Sequence, residues 1–262
     1  MTAARDLLHK ASGLPTGAFA LLTDRLPVRG HGAAVLCYHD IGDDPANRTD
    51  YYLGPDRLRS HVEWLRGWGL TIVPLTEIVD RLETGRDLDG LVAITFDDAL
   101  LGVGTDGARV LEELGVPATV FVVSHDLGVE PPFWEGASRT LTAEELRDLT
   151  ASGLIRLGSH TSHHIELPDA DPATRALELE ESRAELEAIT GTAVELFAYP
   201  SGHHDAASEA AVCAAGYRAG FTFTFGRVTP TTSAFAIPRF CMTAAHDRLR
   251  LARQLARPPH RW

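Results

Sequence analysis

Leu91-Val92-Ala93-Ile94-Thr95-Phe96-Asp97-Asp98 is the stretch on which the reading of this chain turns. Its first six residues are apolar or β-branched and follow the turn signal Asp87-Leu88-Asp89-Gly90, so they read as a buried β-strand. Two adjacent carboxylates then stand where the strand stops. Burying one ionised carboxylate without a partner is costly, and burying two side by side costs more. A bound cation would neutralise one and leave the other free to act as a base. A solvated loop that happens to begin with two acids is the plain alternative, and the rest of the chain has to decide between them.

Outward from this strand, strand and helix alternate. Residues 33–38, 71–73, 118–123, 154–157, 195–199, 217–223 and 236–237 carry strand patterns. Helices are expected over 55–68, with Leu58, Val62 and Leu65 on one stripe, and over 76–83, capped by Thr76 and stopped at Gly85. A further helix is expected over 106–114, ended by Gly115. Thr142-Ala-Glu-Glu145 is a capping-box signature that opens a helix to 151. Residues 172–189 form a long acidic helix, whose Glu178, Glu180, Glu181, Glu185 and Glu187 read as a solvated outer face. Helices over 206–215 and 243–256 follow, the last one carrying Arg248, Arg250 and Arg253, with Arg257 just beyond. This alternation, without long linker or internal repeat, gives a parallel sheet with right-handed crossovers. The fold class is therefore α/β. Seven or eight βα units in 262 residues suit a closed (β/α)7-8 barrel better than an open Rossmann sheet. No G-x-G-x-x-G follows the first strand, and no Walker A sequence occurs.

Composition removes several function classes. The chain is 44% hydrophobic and 23% charged, as ordinary globular proteins are. Its net charge of −12 argues against a general nucleic-acid binder. Lys10 is the only lysine, so lysine-nucleophile and Schiff-base chemistry is set aside. Cys37, Cys213 and Cys241 are far apart and form no C-x-x-C pair, which reads as reduced thiols. Residues 1–30 read as a helical extension, with a short helix over 2–11 and Leu7, Leu8 and Leu14 packing on a barrel domain over 31–262. They lack a sustained apolar core of the export-signal type, and no run approaches a membrane span, so a cytoplasmic location without transmembrane segment is expected.

Barrels build their active sites at the carboxyl ends of their strands. There the sequence places His39-Asp40, Asp97-Asp98, His160-Thr161-Ser162-His163-His164, Pro200-Ser201-Gly202 and Pro238-Arg239 in turn. His160 and His164 are four apart, which puts them on one face if the loop turns helically. Two imidazoles and a carboxylate suit a divalent zinc ion and leave positions open for water and substrate. His163 stays ambiguous. His203 and His204 read as surface residues, and His246 as structural or exposed.

Thr95-Phe-Asp-Asp98 taken together with His160-Thr-x-x-His164 resembles the polysaccharide deacetylases, the NodB-homology carbohydrate esterases. The similarity runs over roughly 33–240 and includes Leu36-Cys-Tyr-His-Asp-Ile41, Val116-Pro-Ala-Thr-Val-Phe121, Gly158-Ser-His-Thr161 and Phe197-Ala-Tyr-Pro200 in matching order. The resemblance implies a distorted (β/α) barrel and a divalent metal, zinc first with cobalt or nickel as substitutes. It also implies hydrolytic removal of acetyl from an N-acetylated saccharide. Carried onto this sequence, it makes Asp98, His160 and His164 the metal ligands and Asp97 the base that activates the metal-bound water. The backbone N–H of Ser201 would then help hold the oxyanion.

The chain departs from the commoner pattern at Phe197, where Arg is usual, at Ser201, where Tyr is usual, and at Ala99, where Gly is frequent. The usual C-terminal Leu-x-x-His block has no clear counterpart. A branch with permuted motifs, similar to poly-N-acetylglucosamine deacetylases, takes its acid histidine from an N-terminal Tyr-His block. Tyr38-His39-Asp40 matches that block, which makes His39 the general acid and Arg239 the residue that steadies Asp97. A surface salt bridge is the plain alternative for Arg239. Two other functions remain open: the same metal site acting on a non-sugar amide, and a carbohydrate-binding relic without catalysis. A glycosidase is disfavoured, because neighbouring carboxylates on one strand end cannot flank a glycosidic bond at the roughly 5–10 Å such chemistry needs.

Overall fold

Every residue of the strands β1 (Ala34–Tyr38), β5 (Leu91–Phe96) and β6 (Ala118–Val122) is buried. Near-continuous apolar runs behave this way only in a parallel sheet covered on both faces. The computed structural model describes residues 28, 30–44 and 49–256. Within them β2 (Asp40–Ile41), β3 (Tyr52–Leu53), α1 (Pro55–Gly67), β4 (Thr71–Ile72) and α2 (Leu75–Thr84) lead to β5. A π-helical turn (Val103–Gly107) and α3 (Ala108–Leu114) lead on to β6. Then follow α4 (Ala143–Thr150), β7 (Ile155–Ser159), α5 (Pro172–Thr190), β8 (Leu196–Ala198), α6 (Ala206–Ala214), β9 (Ala219–Phe221), β10 (Phe240–Cys241) and α7 (Arg248–Leu255).

The sheet runs β10-β1-β5-β6-β7-β8-β9, all pairs parallel, with β4 added beside the start of β5. Its two ends meet. Ile237 makes a parallel bridge to Phe221, and four residues later Cys241 pairs with Cys37 of β1. The segment 237–241 thus crosses from β9 to β1 and closes a distorted (β/α) barrel, and Arg239 lies in that seam. Alternate residues of the strands serve two cores. Leu36, Val92, Ile94, Phe96, Val120 and Val122 join the helix-side cluster with Leu58, Val62 and Leu65 of α1 and Leu179 and Leu186 of α5. Val35, Ala93, Phe121, Ala198 and Phe221 form the second cluster, with Leu75, Ile78 and Val79 of α2 against them. Asp97 continues the parity of Ala93 and Thr95, so the strand aims it to the second side.

The capping box at Thr142 and Glu145 is present in both directions, and Gly85 and Gly115 end their helices at φ 66° and 59°. Several boundaries differ from expectation for physical reasons. Thr76 lies inside the first turn of α2, and the N-cap is Pro74. The helix expected from 106 is preceded by the π-helical turn, which packs so closely on β2 that a Cβ on Gly102 would collide with the Ile41 carbonyl and the Asp40 carboxylate. Gly158 and Ser159 belong to β7 and do not end it; Gly158 leaves room for the Phe121 ring. Arg239 precedes a strand, β10, that its two-residue length hid. The last helix starts at Arg248 with Asp247 as its cap, five residues later than the Arg-rich pattern suggests. Asp40–Ile41 pairs in parallel with Tyr52–Leu53 in a separate ribbon whose two-residue strands leave no pattern in the sequence. The helix expected over 2–11, its leucines and Arg257 lie outside the described residues. No helix among the described residues is long and apolar enough to cross a membrane.

Candidate active site

Among the described residues, five other than glycine have positive φ, and they lie where β5, β7 and β8 end: Asp98 (68°), Ala99 (51°), Thr161 (66°), His164 (55°) and Ser201 (55°). L-residues resist this region, so backbone strain is concentrated around one cleft. The cleft measures about 320 Å³ and is lined by His39, Asp97, Asp98, His160, His164 and Ser201, with Tyr51, Phe133, Trp134, Phe223 and Cys241 completing its wall.

Asp97 is fully buried and is gripped by Arg239, Nη1 to Oδ1 and Nη2 to Oδ2, both at 2.7 Å. Arg239 itself is 1% exposed, so the surface-bridge alternative for it falls away. Its Nε donates to the Thr222 carbonyl at 3.2 Å, and its guanidinium carbon sits 4.7 Å from the centre of the Phe223 ring. Burial pushes the Asp97 carboxyl up, but the guanidinium outweighs it and holds the group well below the usual carboxylate range. Asp98 feels the Arg239 charge only at a distance, and that pull is the weakest of the influences on it. Burial first and the Asp97 charge second push its carboxyl well above the usual range, and its Oδ1 is buried without a hydrogen-bond partner.

That orphaned oxygen lies 3.6 Å from Nε2 of His160 and 3.6 Å from Nε2 of His164. These distances are too long for hydrogen bonds. They suit two ligands of one ion, since bonds of about 2.1 Å at the tetrahedral angle put donor atoms about 3.4 Å apart. Nδ1 of His160 is 2.8 Å from the Ala198 carbonyl, which can only accept. The proton therefore sits on Nδ1, and the Nε2 lone pair faces Asp98. Burial pushes His160 down to about 4 and His164 to about 3, so both are neutral donors near neutral pH. The residues present fit a divalent cation. Cys37, His39 and Asp97 also bring donor atoms within 4.8 Å of one another. There Arg239 already neutralises the carboxylate, and the Asp98 set is the one that lacks a positive partner.

His39 is buried against Tyr51, Trp134 and Phe223, with ring centres 4.7, 5.4 and 6.1 Å away. Its Nδ1 has no hydrogen-bond partner, and burial, against the pull of Asp97, lowers it to about 4. Ser201 sits in the tight turn Pro200–Gly202 and lines the same cleft.

His39, Asp97, Asp98, His160, His164 and Ser201 thus meet at one cleft, and Arg239 reaches it through Asp97, whereas Asp40 lines a separate cleft. The helical turn expected to align His160 with His164 is absent. Two left-handed residues fold the loop back instead, and Phe133 stacks on His164 at 4.0 Å. His163 turns away, its Nδ1 2.8 Å from Glu178. His203 is at the surface beside Glu166, and His246 is structural, its carbonyl accepting from Nε2 of His61 at 2.7 Å. The acidic helix is more than a solvated face, because Glu178 and Ser182 are buried in it. Sequence reasoning missed the aromatic wall. Phe133-Trp134 in a Pro- and Gly-containing segment between β6 and α4 was its available signal.

A model described as polysaccharide deacetylase matches residues 84–220. The poly-beta-1,6-N-acetyl-D-glucosamine N-deacetylase of Staphylococcus aureus is 24% identical over 202 residues, spanning 74% of this chain and 69% of that protein. Among solved structures, IcaB from Ammonifex degensii superposes with a TM-score of 0.74 at 26% identity, covering 87% of this chain and 99% of that one. The Streptococcus pyogenes deacetylase PplD, solved with acetate, superposes with a TM-score of 0.74 at 19% identity over 86% of this chain and 98% of that one, a likeness of fold.

Proposed function

This chain belongs to the polysaccharide deacetylase family, and we propose that it is a metal-dependent amide hydrolase that removes acetyl groups from an N-acetylglucosamine-containing saccharide. The observation that carries the metal requirement is the buried, unpartnered Oδ1 of Asp98 between two neutral imidazoles. Asp98, His160 and His164 would hold the ion, with zinc the best fit to one carboxylate and two imidazoles and cobalt or nickel as substitutes. When bound, such an ion acidifies water and polarises an amide carbonyl.

The chain's own groups supply the rest. Arg239 keeps Asp97 ionised and fixes the plane of its carboxylate, leaving lone pairs free to take the proton of the attacking water. The Ser201 N–H is the proposed donor to the oxygen that gains charge. His39 is the proposed general acid: in its protonated, imidazolium form it gives a proton to the leaving nitrogen and returns to the neutral ring that burial favours. Tyr51, Trp134 and Phe223 exclude water and offer apolar faces to a pyranose ring, which favours a sugar over a small cyclic amide. The complete set of Asp97, Asp98, His160 and His164 argues against a non-catalytic relic.

Acetate release from N-acetylglucosamine oligomers, before chelation, after it and after zinc is returned, tests this reading. Activity should vanish and return with the ion, and Asp98→Asn should abolish it. A chelated protein that keeps full activity would sink the metal requirement. A zinc-loaded protein that spares acetylated sugars but opens cyclic amides would shift the substrate class.

A further inference from the structure

We propose that Glu178, on the acidic helix α5 and outside the cleft, is a positioning residue that sets the site's cation affinity by holding the loop that presents His164. The inference rests on the reading of Asp98, His160 and His164 as ligands. The two histidines are placed by different means. His160 leaves β7 directly, its amide donating to the Val122 carbonyl at 2.9 Å and its ring to the Ala198 carbonyl at 2.8 Å. His164 comes four residues later, beyond Thr161 at φ 66°, and is itself at φ 55°. Its ring leans on Phe133, so where its Nε2 points depends on the shape of the loop.

Glu178 dictates that shape. One oxygen, Oε2, accepts the amides of both Ser162 and His163 at 2.9 Å, and Oε1 takes Nδ1 of His163 at 2.8 Å. Consecutive amides of an extended chain point to opposite sides, so their convergence on one atom requires the loop to be folded back. Glu178 is 7% exposed, and three donors converge on its carboxyl group. The same helix face continues with Ser182, whose Oγ meets Ser159 Oγ at 2.8 Å, and Glu185, which accepts from Ser124. Residues 178, 182 and 185 lie one and two turns apart, so a single stripe of α5 clamps the ends of β6 and β7. Bulk solvation explains neither the burial of Glu178 nor its three donors.

Groups that orient a metal ligand typically contribute 10- to 100-fold in metal affinity. Cobalt(II) binding, measured by competition with a chromophoric chelator and by the visible spectrum of the bound ion, tests the role without using activity. Glu178→Ala should bind cobalt about 10- to 100-fold more weakly than wild type. Glu178→Gln, which keeps the shape but loses an acceptor, should fall between them, and it serves if the alanine variant does not fold. His164→Ala should lose affinity, and Glu178→Ala added to it should cost nothing further, because Glu178 acts through His164. Wild-type affinity in both Glu178 variants overturns the inference. So do losses that multiply in the double variant, since Glu178 would then act on the fold and not through His164. If wild type itself binds no cobalt, the ligand assignment fails, and the inference fails with it for that separate reason.

Discussion

Replacing Arg239 with methionine should unmask what the guanidinium does for Asp97. The wild-type pair is wholly buried and joined by two hydrogen bonds of 2.7 Å. Methionine fills much of the same space and provides no donor. Asp97 is then a buried carboxylate with a second one, Asp98, beside it. Breaking a buried ion pair from one side costs about 3–5 kcal/mol. For a chain of this size that corresponds to a fall in Tm of about 6–20 °C. The assay is urea and thermal unfolding of chelated protein.

The sign of the pH dependence identifies the cause. In wild type the Asp97 carboxyl is held below its unfolded value, so its contribution is present above that value and is lost only in strong acid. In the variant, burial without Arg239 raises the same carboxyl above its unfolded value. The folded variant then takes up the proton more readily than the unfolded chain, and its deficit shrinks as pH falls from 7 towards 5. Asp97→Asn added to Arg239→Met should recover about 2 kcal/mol by removing the lone charge. A loss below about 1 kcal/mol, a deficit independent of pH, or no recovery in the double variant would refute this account.

Two further outcomes follow from buried groups elsewhere. His61 accepts from the Tyr38 hydroxyl at 2.9 Å and donates to the His246 carbonyl at 2.7 Å, and burial lowers it to about 4. The unfolded chain takes up this proton first on acidification, so stability is full above the ordinary histidine value and declines towards the folded one; wild type should lose about 2 kcal/mol more than His61→Gln between pH 7.5 and 5 in urea unfolding. Ala99 is fully buried at φ 51°, where a Cβ costs about 1–2 kcal/mol and glycine's extra entropy costs about 0.5–1 kcal/mol. Ala99→Gly should therefore hold or raise Tm, whereas Ala99→Val should lower it.

The strands with long apolar runs, β1, β5 and β6, were legible in the sequence because burial on both faces demands such runs. The short β4, β8 and β9 were legible too, but β2, β3 and β10 were not. β10 has two residues, and its place beside β1 is set by a partner some 200 positions away in the chain. The same divide runs through the site. Residue type and position after an expected strand drew attention to the loops that carry His39, Asp97, Asp98, His160, His164, Ser201 and Arg239, since parallel strands deliver their ends to one side of a barrel, and the family resemblance singled out these seven. Type alone misjudged α5, where a run of glutamates looks solvated until Glu178 is seen under the His160–His164 loop.

By itself, then, the sequence determined the α/β barrel and the rim on which its polar residues gather. These follow from local patterns: apolar runs, caps and the residue that comes next after a strand. Only the tertiary structure supplied the physical ground for the division of the two carboxylates that the family resemblance implies, with Asp97 neutralised by Arg239 across the closing seam and Asp98 left facing two imidazoles. The physical reason is that the charge state of a buried group depends on which partner reaches it through space, and adjacent residues of identical type carry no record of that.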